Sequence, residues 1–193
     1  MDVYAAIKGR RAIRKYQDRA VPKETVKKIL DAANWAPSGV NEQQWQYCIV
    51  GGEYRGRLAE YYGHLTEASM PAPEARTERQ KVFAQWAKTL GGAPLAVVLA
   101  MGEEENPGRR KMVLESVAAS FQNLLLAAYA EGLGTCWMTG PVRDGGADIR
   151  RMLGLPAEIE VVAVTPLGYP DEAPVPPKRH DPELKRKVTW LGV

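Results

Sequence analysis

The chain has 193 residues, with 26 Lys and Arg against 23 Asp and Glu, a formal charge of +3 and 45% hydrophobic residues. This fits one domain over 1–193 at about 100–200 residues per domain, and it excludes a disordered chain. The apolar runs Leu95–Met101 and Leu124–Tyr129 fall short of the roughly 20 residues that span a bilayer, and the first residues lack a signal peptide's apolar stretch, so a cytoplasmic protein with no membrane partner is expected.

Asp2 can cap a helix carrying Val3 and Ile7, and Arg10–Tyr16 continues with Ile13 and Tyr16 as its apolar positions. Thr25 opens a clearer helix, because Val26, Ile29, Leu30 and Ala33 share one face of a 3.6-residue period. That helix should end before Pro37, and Pro37-Ser38-Gly39-Val40-Asn41 reads as a loop in which Gly and Asn tolerate positive φ. Trp45–Val50 predicts a strand, and 53–90 reads as helical in pieces interrupted by Met70-Pro71-Ala72-Pro73. Pro94–Met101 predicts a strand buried on both faces. A long helix follows from about Met112 to Glu131, closed by Gly132 and Gly134. Thr135–Met138 and Val161–Leu167 are further short strands, and from Pro170 the tail is Pro-rich and basic. Without a strict βαβ alternation, the class is α+β.

Chemistry-bearing patterns are few. Cys48 and Cys136 lie far apart, and His64 and His180 are isolated, so no metal site is expected. No Ser or Cys sits beside a base, and neither GxGxxG nor a Walker loop occurs, so an enzyme of this sequence would need a bound organic cofactor. The charge is polarised: 8–19 carries +5 and 178–187 carries +3, leaving −5 elsewhere. The two basic clusters could line one anion site or be two solvated surfaces. A nucleic-acid surface is the weaker reading, because neither cluster is interleaved with aromatics.

Three segments, in order, suggest which cofactor. They are Arg10-Arg11-Ala12-Ile13-Arg14, Ala36–Trp45 with its Pro37-Ser38-Gly39-Val40-Asn41 core, and Gly132–Pro141 with Trp137-Met138-Thr139-Gly140. With Lys178 and Arg179 in the tail, the chain resembles the nitroreductase family of FMN-dependent oxidoreductases along nearly its whole length. The resemblance implies a mostly antiparallel sheet flanked by helices in an intertwined homodimer, with the tail of about 170–193 packing on the partner subunit. It implies FMN as the bound cofactor and NAD(P)H as the hydride donor, in ping-pong order with an electron-poor acceptor such as a nitroaromatic or quinone. No nucleic-acid partner is implied.

The resemblance also implies site roles. Arg10, Lys178 and Arg179 match phosphate-binding positions, a match suited to the charge-assisted bonds a phosphate accepts. Arg11 and Ala12 belong to the same stretch. Arg14 matches the position near the flavin N1–O2 edge, where a cation favours the reduced flavin. Pro37, Ser38, Gly39, Asn41 and Gln43 would reach the flavin of the other subunit. Thr139 and Gly140 match the segment whose backbone N–H points at flavin N5, and no side-chain acid or base is required. Two positions depart from the family pattern: Ala12 stands where Ser is frequent, and Gln44 stands where Pro is common. The 63–80 segment, with His64 and Met70, is expected to wall or cover the open flavin face. Alternatives are a reductive dehalogenase or flavin-fragmenting enzyme of the same fold, and a basic surface-binding module with no cofactor.

Overall fold

Residues 96–101 are all buried in one strand, β2 (Leu95–Gly102), inside a sheet covered by helices on both faces. Successive side chains of a strand point to opposite faces. Val97, Leu99 and Met101 therefore enter one core, and Ala96 and Val98 enter the other. The computed structural model describes residues 1–142 and 146–193. Among these, the four strands run in the order β1 (Trp45–Gly51), β2, β4 (Ile159–Gly168), β3 (Gly134–Thr135), with every pairing antiparallel.

The first core lies under α2 (Lys23–Asn34) and α5 (Pro107–Ala130), which contribute Ile29, Ala33, Val117, Phe121 and Leu124. The second lies under α3 (Gly52–Ala68), α4 (Glu78–Thr89) and α6 (Ala147–Met152), with Leu58, Trp86, Ala87 and Ile149. A short α1 (Val3–Gly9) packs on the C-terminal end of α5, where Gly9 meets the ring of Tyr129. The architecture is α+β, as the sequence implies.

Several boundaries differ from the sequence reading, each for a local reason. Asp2 does cap α1, accepting from Tyr4 N at 2.9 Å and Ala5 N at 3.1 Å, but Val3 and Ile7 stay exposed and Ala6 is the buried position. Arg10–Tyr16 is extended, tied to neighbouring strands, with Ile13 and Tyr16 buried. Helix α2 begins at Lys23, because Pro22 can precede a helix without losing a hydrogen bond. Helix α5 begins at Pro107, five residues before Met112: Asn106 accepts from Arg109 N at 3.0 Å, and Pro107 has no N–H to leave unpaired. Of the expected Thr135–Met138 strand only Thr135 lies in a paired strand, β3 (Gly134–Thr135), and Met138 forms an isolated bridge to Val164. The expected interruption at 70–73 separates α3 from α4.

Helix α5 has the length and apolar composition to cross a membrane, but Val113, Val117, Phe121, Leu124, Leu125 and Ala128 are packed in the core.

Candidate active site

The Arg10–Arg14 segment lies along the free edge of β3. Ala12 bridges Thr135 in parallel, and Ile13 N donates to Thr135 O at 2.8 Å. Further along, Tyr16 N donates to Gly91 O at 3.0 Å, Gln17 N to Tyr169 O at 2.9 Å and Asp171 N to Lys15 O at 2.9 Å. The Glu172 carboxylate accepts from the backbone N–H of Arg14 and, at 3.1 Å, from that of Lys15. An extended backbone alternates its side chains. Arg10, Ala12 and Arg14 thus leave one side, and Arg11 leaves the other with the buried Ile13.

Arg11 folds back to cap α1: its Nη1 donates to Lys8 O and Arg10 O, both at 2.7 Å, while its buried Nε has no partner among the described residues. Neither Arg10 nor Arg14 has a carboxylate at ion-pair distance among the described residues, whereas Lys15 beside them pairs with Asp171 at 2.7 Å. Both charges act on the Cys136 thiol behind them, which burial pushes up and which Arg14 and Arg10 partly pull back down. Burial also pushes the Tyr16 hydroxyl well up, and it donates to Ile13 O at 2.7 Å. Both groups are therefore neutral near pH 7.

The loop after α2 is built by its own side chains. Ser38 Oγ accepts from Gln43 N at 3.0 Å, Gln43 Nε2 donates to Asn41 Oδ1 at 3.1 Å, and Gly39 N donates to Ser116 Oγ on α5 at 3.2 Å. Three non-glycine residues here, Val40, Asn41 and Gln43, take left-handed φ of 47°, 59° and 52°. Such strain persists only where the surroundings hold it. One such hold is Arg109, which pairs with Glu42 at 2.8 Å and Glu104 at 2.6 Å. The Arg109 guanidinium, helped by Gln44, holds the Glu42 carboxyl below its usual range. Pro37 is exposed.

Thr139 and Gly140 follow Met138, whose N–H donates to Val164 O at 2.9 Å. Gly140 opens a short 3-10 turn, Gly140–Val142, and a Cβ on it would stand 2.9 Å from the Tyr62 hydroxyl. Tyr62 meets Trp86 edge-to-face at 5.9 Å, and the Arg14 guanidinium lies over the Trp86 ring at 5.7 Å. The site thus gains an aromatic wall from α3 and α4, which sequence reasoning missed: Tyr62 and Trp86 look like ordinary core positions. Glu172, which fixes the Arg14 backbone, was equally silent in the sequence. The expected wall or cover at 63–80 is clasped, with Glu67 holding Arg76 at 2.5 Å and Lys88 at 2.7 Å. Those two cations, Arg76 first, hold the Glu67 carboxyl down at about 2. His64 is exposed beside Glu60.

One subunit does not gather every expected residue. Lys178 and Arg179 are exposed in the tail, whose local order rests on Asp181 accepting from Lys185 N at 3.1 Å and Arg186 N at 2.9 Å. The Ser38–Gln43 loop touches α5 at Ser116, and Gly9 beside Arg10 touches it at Tyr129. Those positions are 13 residues apart, about 20 Å along a helix axis.

Residues 7–169 match the model of the nitroreductase family. The chain belongs to the nitroreductase family. This nitroreductase-family chain is 36% identical over 194 residues to a Methanothermobacter thermautotrophicus protein provisionally named an NADH dehydrogenase/NAD(P)H nitroreductase, covering 98% of the chain and 88% of that protein. Its fold matches a nitroreductase-like family protein from Bacillus cereus with a TM-score of 0.78 at 25% identity, over 100% of the chain and 97% of the other. It also matches an FMN-dependent nitroreductase from Clostridium difficile R20291 with a TM-score of 0.73 at 27% identity, over 97% and 98%.

Proposed function

We propose that this chain is an FMN-dependent NAD(P)H oxidoreductase that works as a homodimer in the cytoplasm. The observation that carries the reading is the pair Arg10 and Arg14: two guanidinium groups with no carboxylate at ion-pair distance among the described residues, on one side of a segment fixed to β3, with Tyr62 close against Gly140. FMN offers a phosphate dianion, a polyol and a flat ring, and these residues fit it. The chemistry FMN supplies when bound is ping-pong transfer of hydride from NAD(P)H to an electron-poor acceptor such as a nitroaromatic or quinone.

Arg10 binds the phosphate together with Lys178 and Arg179, which swing in from the tail; convergent cations are what a dianion rewards. Ala12 contributes no hydroxyl, so phosphate binding leans on charge. Arg14 places positive charge at the N1–O2 edge and favours the reduced form. The Gly140 N–H, with Thr139, orients the ring at N5. Arg11, turned back onto α1, acts by holding the Arg10 backbone.

The 20 Å between the two α5 contacts supports a site completed across a two-fold axis, with Pro37, Ser38, Gly39, Asn41 and Gln43 donated by the other subunit. Exposed Val3, Tyr4, Ile7 and Trp35, together with the exposed tail residues Trp190 and Leu191, supply apolar surface for that contact. In this reading 1–193 is one domain whose tail packs on the partner subunit. The two free thiols, Cys48 and Cys136, accord with a reducing compartment. The test is the double variant Arg10→Ala/Arg179→Ala: it should remain folded but purify with little flavin, and unchanged FMN occupancy would refute the phosphate site.

A further inference from the structure

Arg14 is exposed, and a long exposed side chain samples many rotamers. A cation that sets a redox equilibrium has to stay in one place. Helix α4 supplies the support twice. At its end Leu90 and Gly91 take φ of 51° and 67°, and the turn is pressed so closely on Arg14 that a Cβ on Gly91 would stand 2.0 Å from Arg14 O. One turn earlier, the Trp86 indole lies under the Arg14 guanidinium, at 5.7 Å to the ring centre.

Trp86 is itself packed into the second core. It is 7% exposed and meets Tyr62 edge-on at 5.9 Å and Phe83 at 5.4 Å. Tyr62 continues the line to Gly140, which its hydroxyl approaches too closely to admit a Cβ without movement. The chain of contacts Arg14, Trp86, Tyr62, Gly140 is a second link, through α4 and α3, between two segments that already meet where Ala12 bridges Thr135. The Trp86 Nε1 is buried and without a hydrogen-bond partner among the described residues. An unmet buried donor has a cost, so this indole is not placed there by hydrogen bonding and its ring face is what the site uses.

Resting on the FMN reading above, we propose that Trp86, bracketed by Tyr62, is a positioning residue that holds the Arg14 guanidinium at a set spacing from Gly140 and so tunes the flavin midpoint potential. Cation–π support of this kind is modest, so its removal should weaken the preference for reduced over oxidised flavin about threefold to tenfold, or about 15–30 mV for a two-electron couple.

The experiment is dye-equilibrated measurement of the midpoint potential in reconstituted Trp86→Leu, Trp86→Phe and Arg14→Met proteins. Trp86→Leu should bind FMN and shift to a more negative potential, Arg14→Met should shift at least as far, and Trp86→Phe, which keeps a ring face, should stay near wild type. In the Arg14→Met background, Trp86→Leu should add nothing. A flavin-loaded Trp86→Leu protein with the wild-type potential would overturn the proposal. A second arm needs no flavin: the indole N–H NMR resonance that disappears in Trp86→Phe should move in Arg14→Met, whose exposed site tolerates the change if Trp86→Leu does not fold. An unmoved resonance also overturns the bracket. A moved resonance in a chain that takes up no FMN would uphold the bracket and sink the cofactor reading instead.

Discussion

At the scale of single residues, the site turns on what lacks a partner. Lys15 is matched by Asp171 and Arg109 by two carboxylates, whereas Arg10 and Arg14 between them have only an indole face among the described residues. The motif Arg10–Arg14 was legible in the sequence through its resemblance to the family pattern, since charge alone left a solvated surface open. Its division into two sides was not, since that depends on the segment being extended, and the bond from Ile13 N to Thr135 O joins residues far apart in the chain. Gly140 gives the sharpest residue-level expectation. Gly140→Pro removes the N–H while leaving the phosphate contacts, so FMN should remain bound and its reduction by NAD(P)H should slow about a hundredfold, a typical loss for one aimed donor. Stopped-flow bleaching measures this, and unchanged kinetics would remove the N5 role.

At the scale of elements, the apolar pattern told most. The continuous run in β2 and the broad stripe of α5 are readable because burial on both faces leaves no polar alternation. What the pattern could not tell was how α3 and α4 join, because the clasp of Arg76 and Lys88 on Glu67 links charges that look solvated in sequence. That clasp has a signed pH dependence. A carboxyl held down at about 2, against an ordinary value of 4.5, stabilises the folded state above pH 4.5 and loses that contribution as the pH falls toward 2. Glu67→Gln should therefore unfold at lower urea than wild type at pH 7, and the gap should narrow on titration to pH 3 and close as the pH approaches 2. A gap independent of pH would contradict the clasp. In the first core, Phe121 is fully buried against the sheet, and Phe121→Ala should cost about 3–5 kcal/mol in urea unfolding.

At the scale of the whole molecule, the two halves of the proposed site meet α5 at separate points, Ser116 near its middle and Tyr129 near its C-terminal end. In the proposed reading a single chain does not close it, and nothing in the sequence patterning states which surfaces of α1, α2 and the tail would meet a second copy. If the site is shared, damage to its halves should complement. Arg10→Ala/Arg14→Ala and Asn41→Ala/Gln43→Ala homodimers should each bind FMN weakly. Refolded as an equal mixture, they should recover about one quarter of wild-type sites, because half the dimers are mixed and each mixed dimer holds one intact site. Recovery of none would place both halves in one subunit.

In the proposed reading Arg10 and Arg14, which have no ion-pair partner among the described residues, face a flavin. The most direct measurement is the visible absorption spectrum of the freshly purified protein, repeated without oxygen after adding NADPH or NADH. Flavin bands that bleach on addition of the nucleotide are expected. A colourless protein that also fails to take up added FMN would contradict that reading.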